Sequence, residues 1–450
     1  MNRSGVTLVA GLGYGDEGKG TIVDRLVRDS GARLVVRYNG GAQAAHNVVT
    51  PDGRHHTFAQ LGSGTFAGAE TLLSRFVLVN PIALESEARA LARLGVDDPL
   101  ARVAIEDGAL VTTPFHVAMN RLREMARSRR HGSCGMGIGE TMEESLLERD
   151  VLRVSDLRDR ARTAEKLASL RERKLRQLAA FVDDVPRGDA ALRELEVIAD
   201  EELPSELART YADFAARTRI VGPELLARTL GSGAPVVFEG AQGILLDQDL
   251  GFQPYTTWTD ITYANAWTLL REAGVVVPVV RLGVLRAYAT RHGAGPFVSE
   301  DPAFDPLSAH DHNRAGPWQG TFRSGALDEV ALGYAIDALG GIDALAVTNL
   351  DRLALLGDRV PVCVAYDEGA APVRTLRAER PVTIASQTRL AGRLFAARPV
   401  LESVEASGLR GALAYADRIA DRAGAPLALA SFGATADDKI ARGAARSRAA

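Results

Sequence analysis

Short apolar runs alternate with stretches of helical spacing along most of this chain. Val6 to Ala10, Leu34 to Arg37, Phe76 to Val79, Val103 to Ile105, Val236 to Phe238, Val275 to Leu285, Ala344 to Thr348 and Val360 to Ala365 read as strands. Runs that are apolar on both faces suit buried parallel strands, so the pattern predicts an α/β fold with a mostly parallel central sheet. Between Asp156 and Thr229 the composition shifts to Arg, Glu, Ala and Leu at helical spacing. This reads as a helical insertion over about residues 156–230, its charges forming a solvated face. No repeat or long linker interrupts the pattern, which implies one elaborated domain over 1–450.

Composition narrows the function classes. A chain of 450 residues with 46% hydrophobic content can bury a large core, and no apolar run reaches the ~20 residues of a membrane span. The formal net charge of -4 gives no electrostatic footprint for nucleic acid. Cys134 and Cys363 match no metal spacing, and the absence of a signal-peptide pattern before the first strand makes the cytoplasm the expected compartment.

The chemistry concentrates between Leu8 and Leu26, LVAGLGYGDEGKGTIVDRL. Val6 to Ala10 is the strand, Gly11 to Gly20 the loop, and Thr21 opens a helix. Backbone N–H groups of such a loop and the helix N-terminus point at phosphate oxygens, and Lys19 adds a mobile positive charge. The spacing Gly13-x4-Gly18-Lys19 is that of a P-loop, but Gly20 stands where Ser or Thr should follow the lysine. Asp16 and Glu17 sit where bound phosphates would repel them. That placement makes sense if Asp16 holds a metal ion or takes a proton from a substrate lying against the phosphates.

Gly15-Asp16-Glu17-Gly18-Lys19-Gly20 with Ile22-Val23-Asp24 resembles the signature of adenylosuccinate synthetases, enzymes that use GTP to join aspartate to IMP. Val35 to Gly41, ending in His46, is similar to that family's VVRYQGGHNAGH. Phe238 to Asp247 is similar to FEGAQGTLLD, and Tyr288 to Phe297 to YSTRVGAGPF. The resemblance implies a P-loop-like GTP site with Mg2+ as cofactor, IMP or a related 6-oxopurine nucleotide as one partner, a small amine or amino acid as the other, and a homodimer. Asp16 would be the base at N1, Lys19 and His46 would meet the transferring phosphoryl group, and Gln242 would face the purine. Magnesium would be held by Asp16 and the Ala45 carbonyl, and GTP by Gly15, Gly18, Lys19 and Gly20. At the guanine end, Asp351 can accept from N1–H and the exocyclic amine, which adenine cannot offer. Asn349, Ser431 and Gly433 complete that end.

The departures matter as much. Gln43 replaces an asparagine and Ala45 a glycine. In the region matching the family's IMP-phosphate loop, Ser133 and Cys134 replace two threonines, and Cys134 is a weak donor. Thr257 matches one phosphate-binding threonine, and Arg149 or Arg153 would supply the arginine contributed across the dimer. Where the family carries TTGRRRRTGWLD, with arginines that grip both carboxylates of aspartate, this chain reads Asn313 to Asp328 with Arg314 and Arg323. A dicarboxylate needs planar bidentate partners, so the loop as written predicts a poor fit for L-aspartate and an amine with less negative charge. Two readings of an active enzyme follow, an ordinary synthetase with an unusual loop and a specialised ligase. The alternative is a catalytically inactive paralogue that regulates by binding GTP or another nucleotide. A plain GTPase switch leaves EGAQG and GAGPF without a role.

Overall fold

The computed structural model describes residues 5–128, 132–308, 318–369 and 371–443, and the backbone of 448–449. Its main sheet runs in the order Lys439–Ala441, Leu427–Ser431, Ala344–Thr348, Pro278–Arg286, Val6–Gly11, Val236–Gly243, Leu34–Arg37, Glu70–Leu73, Val103–Glu106, Arg219–Val221. All neighbours along it are parallel except the first pair. The expected parallel α/β architecture is therefore present. Helices cover both faces. Ile22, Val23, Leu26 and Val27 of the helix Lys19–Ser30 pack on Val9, Leu282 and Val284. On the other face, Leu8, Val36 and Phe238 meet Leu269, Leu270, Ala335 and Ile419.

Two apolar runs behave differently from expectation. Phe76 to Val79 is not a strand: the sheet position is taken by Glu70–Leu73, and Leu78 and Val79 make only isolated bridges to Gly41 and Val111. The run is apolar because it wraps the strand ends. Arg359–Asp367 leaves the main sheet for a small one with Leu327–Asp328 and Arg398–Glu405. Within the span 156–230 lie the helices Arg160–Leu178, Asp189–Ala199, Leu203–Arg217 and Glu224–Gly231. Arg219–Val221 returns the chain to the sheet edge.

Parallel order places the loops that follow Gly11, Arg37, Gln242, Arg286, Thr348 and Ser431 along one edge of the sheet, where α/β proteins bind ligands. Asp328 anchors a helix beneath this edge. Its carboxylate accepts from Val330 N at 3.0 Å, Ala331 N at 2.9 Å and Tyr366 Oη at 2.8 Å. Burial outweighs those bonds and pushes its pKa up to about 6. A carboxyl raised in the folded state stabilises most at low pH, and that contribution declines as pH rises from the unfolded value toward 6. Asp328→Ala should therefore cost about 1–3 kcal/mol at pH 4.5, from the lost cap and the orphaned hydroxyl. The cost at pH 7.5 should be smaller by roughly 1–2 kcal/mol. Urea unfolding at the two pH values measures both.

Candidate active site

The phosphate loop is built around Glu17. Its Oε1 accepts from Gly13 N at 2.9 Å and Gly15 N at 2.8 Å, and its Oε2 pairs with Lys19 Nζ at 2.7 Å. Lys19 also donates to Gly15 O at 2.9 Å and is 1% exposed. The lysine expected to be mobile is held under the loop. Thr348 Oγ1 donates to Glu17 O at 2.7 Å, tying the loop to the strand two places along the sheet.

Beside the loop lies a cavity of about 290 Å³ lined by Gly15, Asp16, Gln43, Ala45, His46, Ser133, Cys134, Gln242 and Thr257, among others. The structure thus brings together residues separated by over two hundred positions in sequence. His46 Nδ1 lies 2.6 Å from Glu239 Oε1, and Ser63 donates to Glu239 through Oγ at 2.5 Å and N at 2.9 Å. Burial holds His46 neutral, down to about 4, against the pull of Glu239. Burial pushes Glu239 the other way, yet His46, Arg37 and Ser63 keep it ionised, at about 2. The imidazole therefore donates from Nδ1 and leaves Nε2 for a ligand. Asp16 differs: burial raises its pKa, while Arg286, Lys19 and His292 partly offset this and Glu17 adds to it.

Two glutamines on the cavity wall have free hydrogen-bonding capacity. Gln43 Oε1 and Nε2 and Gln242 Oε1 are buried without a partner among the described residues, although buried polar groups are nearly always satisfied. Gln242 also holds a positive φ of 56°, a strained backbone of the kind that clusters at functional sites. Ala45 is not among the residues with positive φ, so alanine takes the glycine's place without strain.

At the far end, Ser133 Oγ donates to Asn120 Oδ1 at 3.0 Å and Thr257 N to Leu246 O at 2.8 Å. The same wall carries Arg123, which pairs with Glu140 at 3.0 Å and Glu143 at 3.2 Å. Arg149 is exposed outside the cavity, and Arg153 donates to Gly108 O at 2.7 Å.

Two arginines expected to meet a carboxylate, Arg291 and Arg323, are committed to the protein itself. Arg323 donates from Nε and Nη2 to Gly293 O at 3.0 and 2.7 Å, from Nη2 to Gly295 O at 2.9 Å, and from Nη1 to Glu300 at 2.7 Å. It braces the loop from behind and does not line the cavity. Arg291 lines it, but donates to Ala294 O, Pro296 O and Tyr255 O at 3.0, 3.0 and 3.3 Å. Arg314 lies outside the described residues.

Asn349, Asp351, Ser431 and Gly433 gather beyond the phosphate loop, away from this cavity. They follow the adjacent parallel strands Ala344–Thr348 and Leu427–Ser431. Asp351 is exposed, and Asn349 opens its turn with a φ of 59°. Ser431 Oγ and Lys439 Nζ donate to Gly433 O at 3.2 and 2.8 Å, and Thr21 Oγ1 to Ala434 O at 2.8 Å.

Sequence reasoning passed over Glu239, Tyr14, Asn120, Trp258, His292 and Gln319. Glu239 had a signal: it is a charge closing the apolar run Val236 to Phe238, and it is fully buried. Tyr14, Asn120, Trp258 and Gln319 sit on loops or helix faces and His292 closes the short strand Ala289–His292, so all five join the site only through tertiary packing.

A glycine loop over a buried lysine, a carboxylate-braced histidine and unpartnered amides around one cavity define a nucleotide-binding enzyme of the parallel α/β class. Comparison with known proteins then gives the family. The adenylosuccinate synthetase family model matches residues 8–440, and the chain belongs to that family of GTP-dependent carbon–nitrogen ligases. Adenylosuccinate synthetase 1 of Chromobacterium violaceum is 34% identical over 457 residues, covering 98% of this chain and 97% of that protein. The Azotobacter vinelandii enzyme is 34% identical over 454 residues, with 96% and 97% covered. The fully ligated adenylosuccinate synthetase of Plasmodium falciparum superposes with a TM-score of 0.80 at 21% identity, covering 98% of this chain and 100% of that one. The succinoaminodeoxyadenylate synthetase of cyanophage S-2L, bound to dGMP and dATP, gives 0.60 at 15%, with 97% and 95% covered. At those identities the structures show the shared fold.

Glu239→Gln should lower kcat by on the order of 10²-fold or more, because the imidazole loses the carboxylate that fixes its orientation. Steady-state kinetics beside a His46→Asn variant check this: the two losses should not add, since both act through one ring.

Proposed function

We propose that this enzyme phosphorylates the 6-oxo group of IMP or an IMP-like purine nucleotide with GTP and replaces it with an amine other than L-aspartate. The observation that carries the reading is the convergence of Asp16, His46, Gln43 and Gln242 on one cavity at the phosphate loop. Asp16 takes the N1 proton, which makes O6 a nucleophile; its raised pKa suits a base more than an ordinary surface aspartate would. Gln43 and Gln242 supply the missing partners for the purine edge. Nε2 of His46 faces the transferring phosphoryl group, and an anion there favours the protonated, donating ring. Lys19, Gly15, Gly18 and Gly20 serve the phosphates, and Asp351, Asn349, Ser431 and Gly433 the guanine.

The donor set fits magnesium, which takes oxygen ligands and keeps substrate phosphates and waters in its shell. Asp16 and the Ala45 carbonyl would hold it, and it would neutralise charge on the phosphates. No group of three or more His, Cys, Asp or Glu side chains among the described residues could hold a metal, which agrees with a site completed by substrate. Ser133, Cys134 and Thr257 would receive the ribose phosphate, with Arg149 contributed across a homodimer. No helix among the described residues is long and apolar enough to cross a membrane; a cytoplasmic enzyme is the consistent reading.

Asp16→Asn tests the base. Turnover should fall by 10²–10⁴-fold, and release of phosphate from GTP in the presence of IMP and an amine panel measures it. Retention of most activity assigns the proton to another group.

The weak fit proposed for L-aspartate rests on the two described arginines of this region. Arg291 and Arg323 are consumed by backbone carbonyls and Glu300. Losing charge-assisted bonds of about 1.5–3 kcal/mol each should weaken L-aspartate by several powers of ten. A Michaelis constant for aspartate in the usual enzyme range, ~1 µM to 1 mM, overturns this.

A further inference from the structure

At the other end of the phosphate loop, the turn joining Leu427–Ser431 to the antiparallel edge strand Lys439–Ala441 is fixed carbonyl by carbonyl. Gly433 O accepts from Lys439 Nζ at 2.8 Å and from Ser431 Oγ at 3.2 Å, and Thr435 O accepts from the same ammonium at 2.6 Å. Ala434 O accepts from Thr21 Oγ1 and Ala436 O from Arg25 Nη1, both at 2.8 Å. Thr21 and Arg25 belong to the phosphate-loop helix Lys19–Ser30, so that helix and Lys439 together hold four consecutive carbonyls. Asp438 Oδ2 closes the turn by accepting from Thr435 N at 2.7 Å and Thr435 Oγ1 at 2.8 Å.

Lys439 is buried at the centre of this arrangement. Burial lowers its pKa to about 8, against the pull of Asp438, Asp24 and Asp351, with Arg25 adding to the lowering. Its grip on Gly433 O has a geometric consequence. A trans peptide is planar, with its C=O and N–H pointing in opposite directions. With Gly433 O turned onto a buried ammonium, the N–H of Ala434 points the other way, toward the surface where Ala434 is exposed. That N–H donates to no group among the described residues. Asp351 lies on the loop after the neighbouring parallel strand, near enough for its charge to act on Lys439. A base held between the two loops meets a carboxylate and an amide donor. Guanine offers the complement, N1–H and the exocyclic amine for the carboxylate and O6 for the donor. Adenine carries an amine in place of O6, so donor would face donor.

We propose that Lys439 is a positioning residue for base selection: by holding the Gly433 carbonyl it presents the Ala434 N–H to O6 of guanine, across the base from Asp351. The inference rests on the reading that Asp351 and the Ser431–Gly433 segment face guanine. Both are tested by nucleotide affinity at pH 7 with Mg2+, measured as displacement of a GTP analogue carrying a fluorophore on its ribose. The competitors are GTP, ITP, which lacks the exocyclic amine, and 6-thio-GTP, which puts sulfur, a weak acceptor, in place of O6. The preference for GTP over ITP reports on Asp351, and the preference over 6-thio-GTP reports on the Ala434 N–H. The proteins are wild type, Lys439→Met, Lys439→Gln, Ala434→Pro and Asp351→Asn.

Wild type should bind GTP about three- to tenfold more tightly than 6-thio-GTP, the value of one hydrogen bond. Ala434→Pro, which removes the N–H, and Lys439→Met, which frees the carbonyl behind it, should both erase that preference while keeping the preference over ITP. Lys439→Gln, which keeps a donor too short to hold both carbonyls, should retain part of it. Asp351→Asn should do the reverse, losing most of the preference over ITP and keeping that over 6-thio-GTP. Thermal melting identifies folded variants, and if the methionine variant does not fold, the glutamine variant must show the reduced preference. Equal affinity of wild type for GTP and 6-thio-GTP overturns the inference. So does a loss in the Lys439 variants that is uniform across the three nucleotides, which is what a merely structural lysine would give. An Asp351→Asn variant with an unchanged preference over ITP removes the underlying reading and the inference together.

Discussion

A carboxylate buried in a niche of glycines is the constraint on which the nucleotide site depends. Glu17 lies where a Cβ at Gly11 or Gly243 would collide with it, so the close approach of three backbone segments is possible only without side chains. Within the niche it satisfies two loop N–H groups and neutralises Lys19, leaving no buried charge unpaired. Removing one partner of such a pair costs about 3–5 kcal/mol, because the other stays buried. The glycines that looked like a generic phosphate cradle therefore have a second task. They make room for the enzyme's own anion beneath the loop.

A different economy governs the amine end. Arginine is the residue suited to gripping carboxylates, yet Arg291 and Arg323 spend their donors on backbone carbonyls of the Gly293–Pro296 turn. A turn with Gly293 and Gly295 at φ of 79° and 114° exposes carbonyls that need donors, and the two guanidinium groups supply them rigidly. Counting arginines in the sequence overstates the positive charge a ligand meets. Geometry decides which cations remain available.

How much was legible in the sequence follows from the same distinction. The strand-loop-helix at Val6 to Leu26 and the parallel sheet were readable, because period and glycine spacing are local. The cavity residues Asp16, His46, Ser133, Gln242 and Thr257 were found by motif, and they do meet. The held state of Lys19 and the commitment of Arg323 were not readable, since both depend on partners far along the chain or on backbone conformation. Phe76 to Val79 misled because burial at strand ends produces the same apolar run as pairing within a sheet. His292 was visible as a departure from a pattern, but its place on the cavity wall came only with the pairing of Ala289–His292 to Phe322–Gly325.

Three acidic residues around one site show how environment assigns roles to identical chemistry. Glu17 is enclosed with a lysine and serves as an internal counter-ion. Glu239, fully buried but supported by His46, Ser63 and Arg37, stays ionised and orients a neutral imidazole. Asp16 has the opposite balance, because burial outweighs the cations near it and its proton affinity rises. The other two carboxylates are each held by close hydrogen-bonding partners, whereas burial favours the protonated form of Asp16. The role of base proposed for Asp16 thus follows from where the other two carboxylates found their partners.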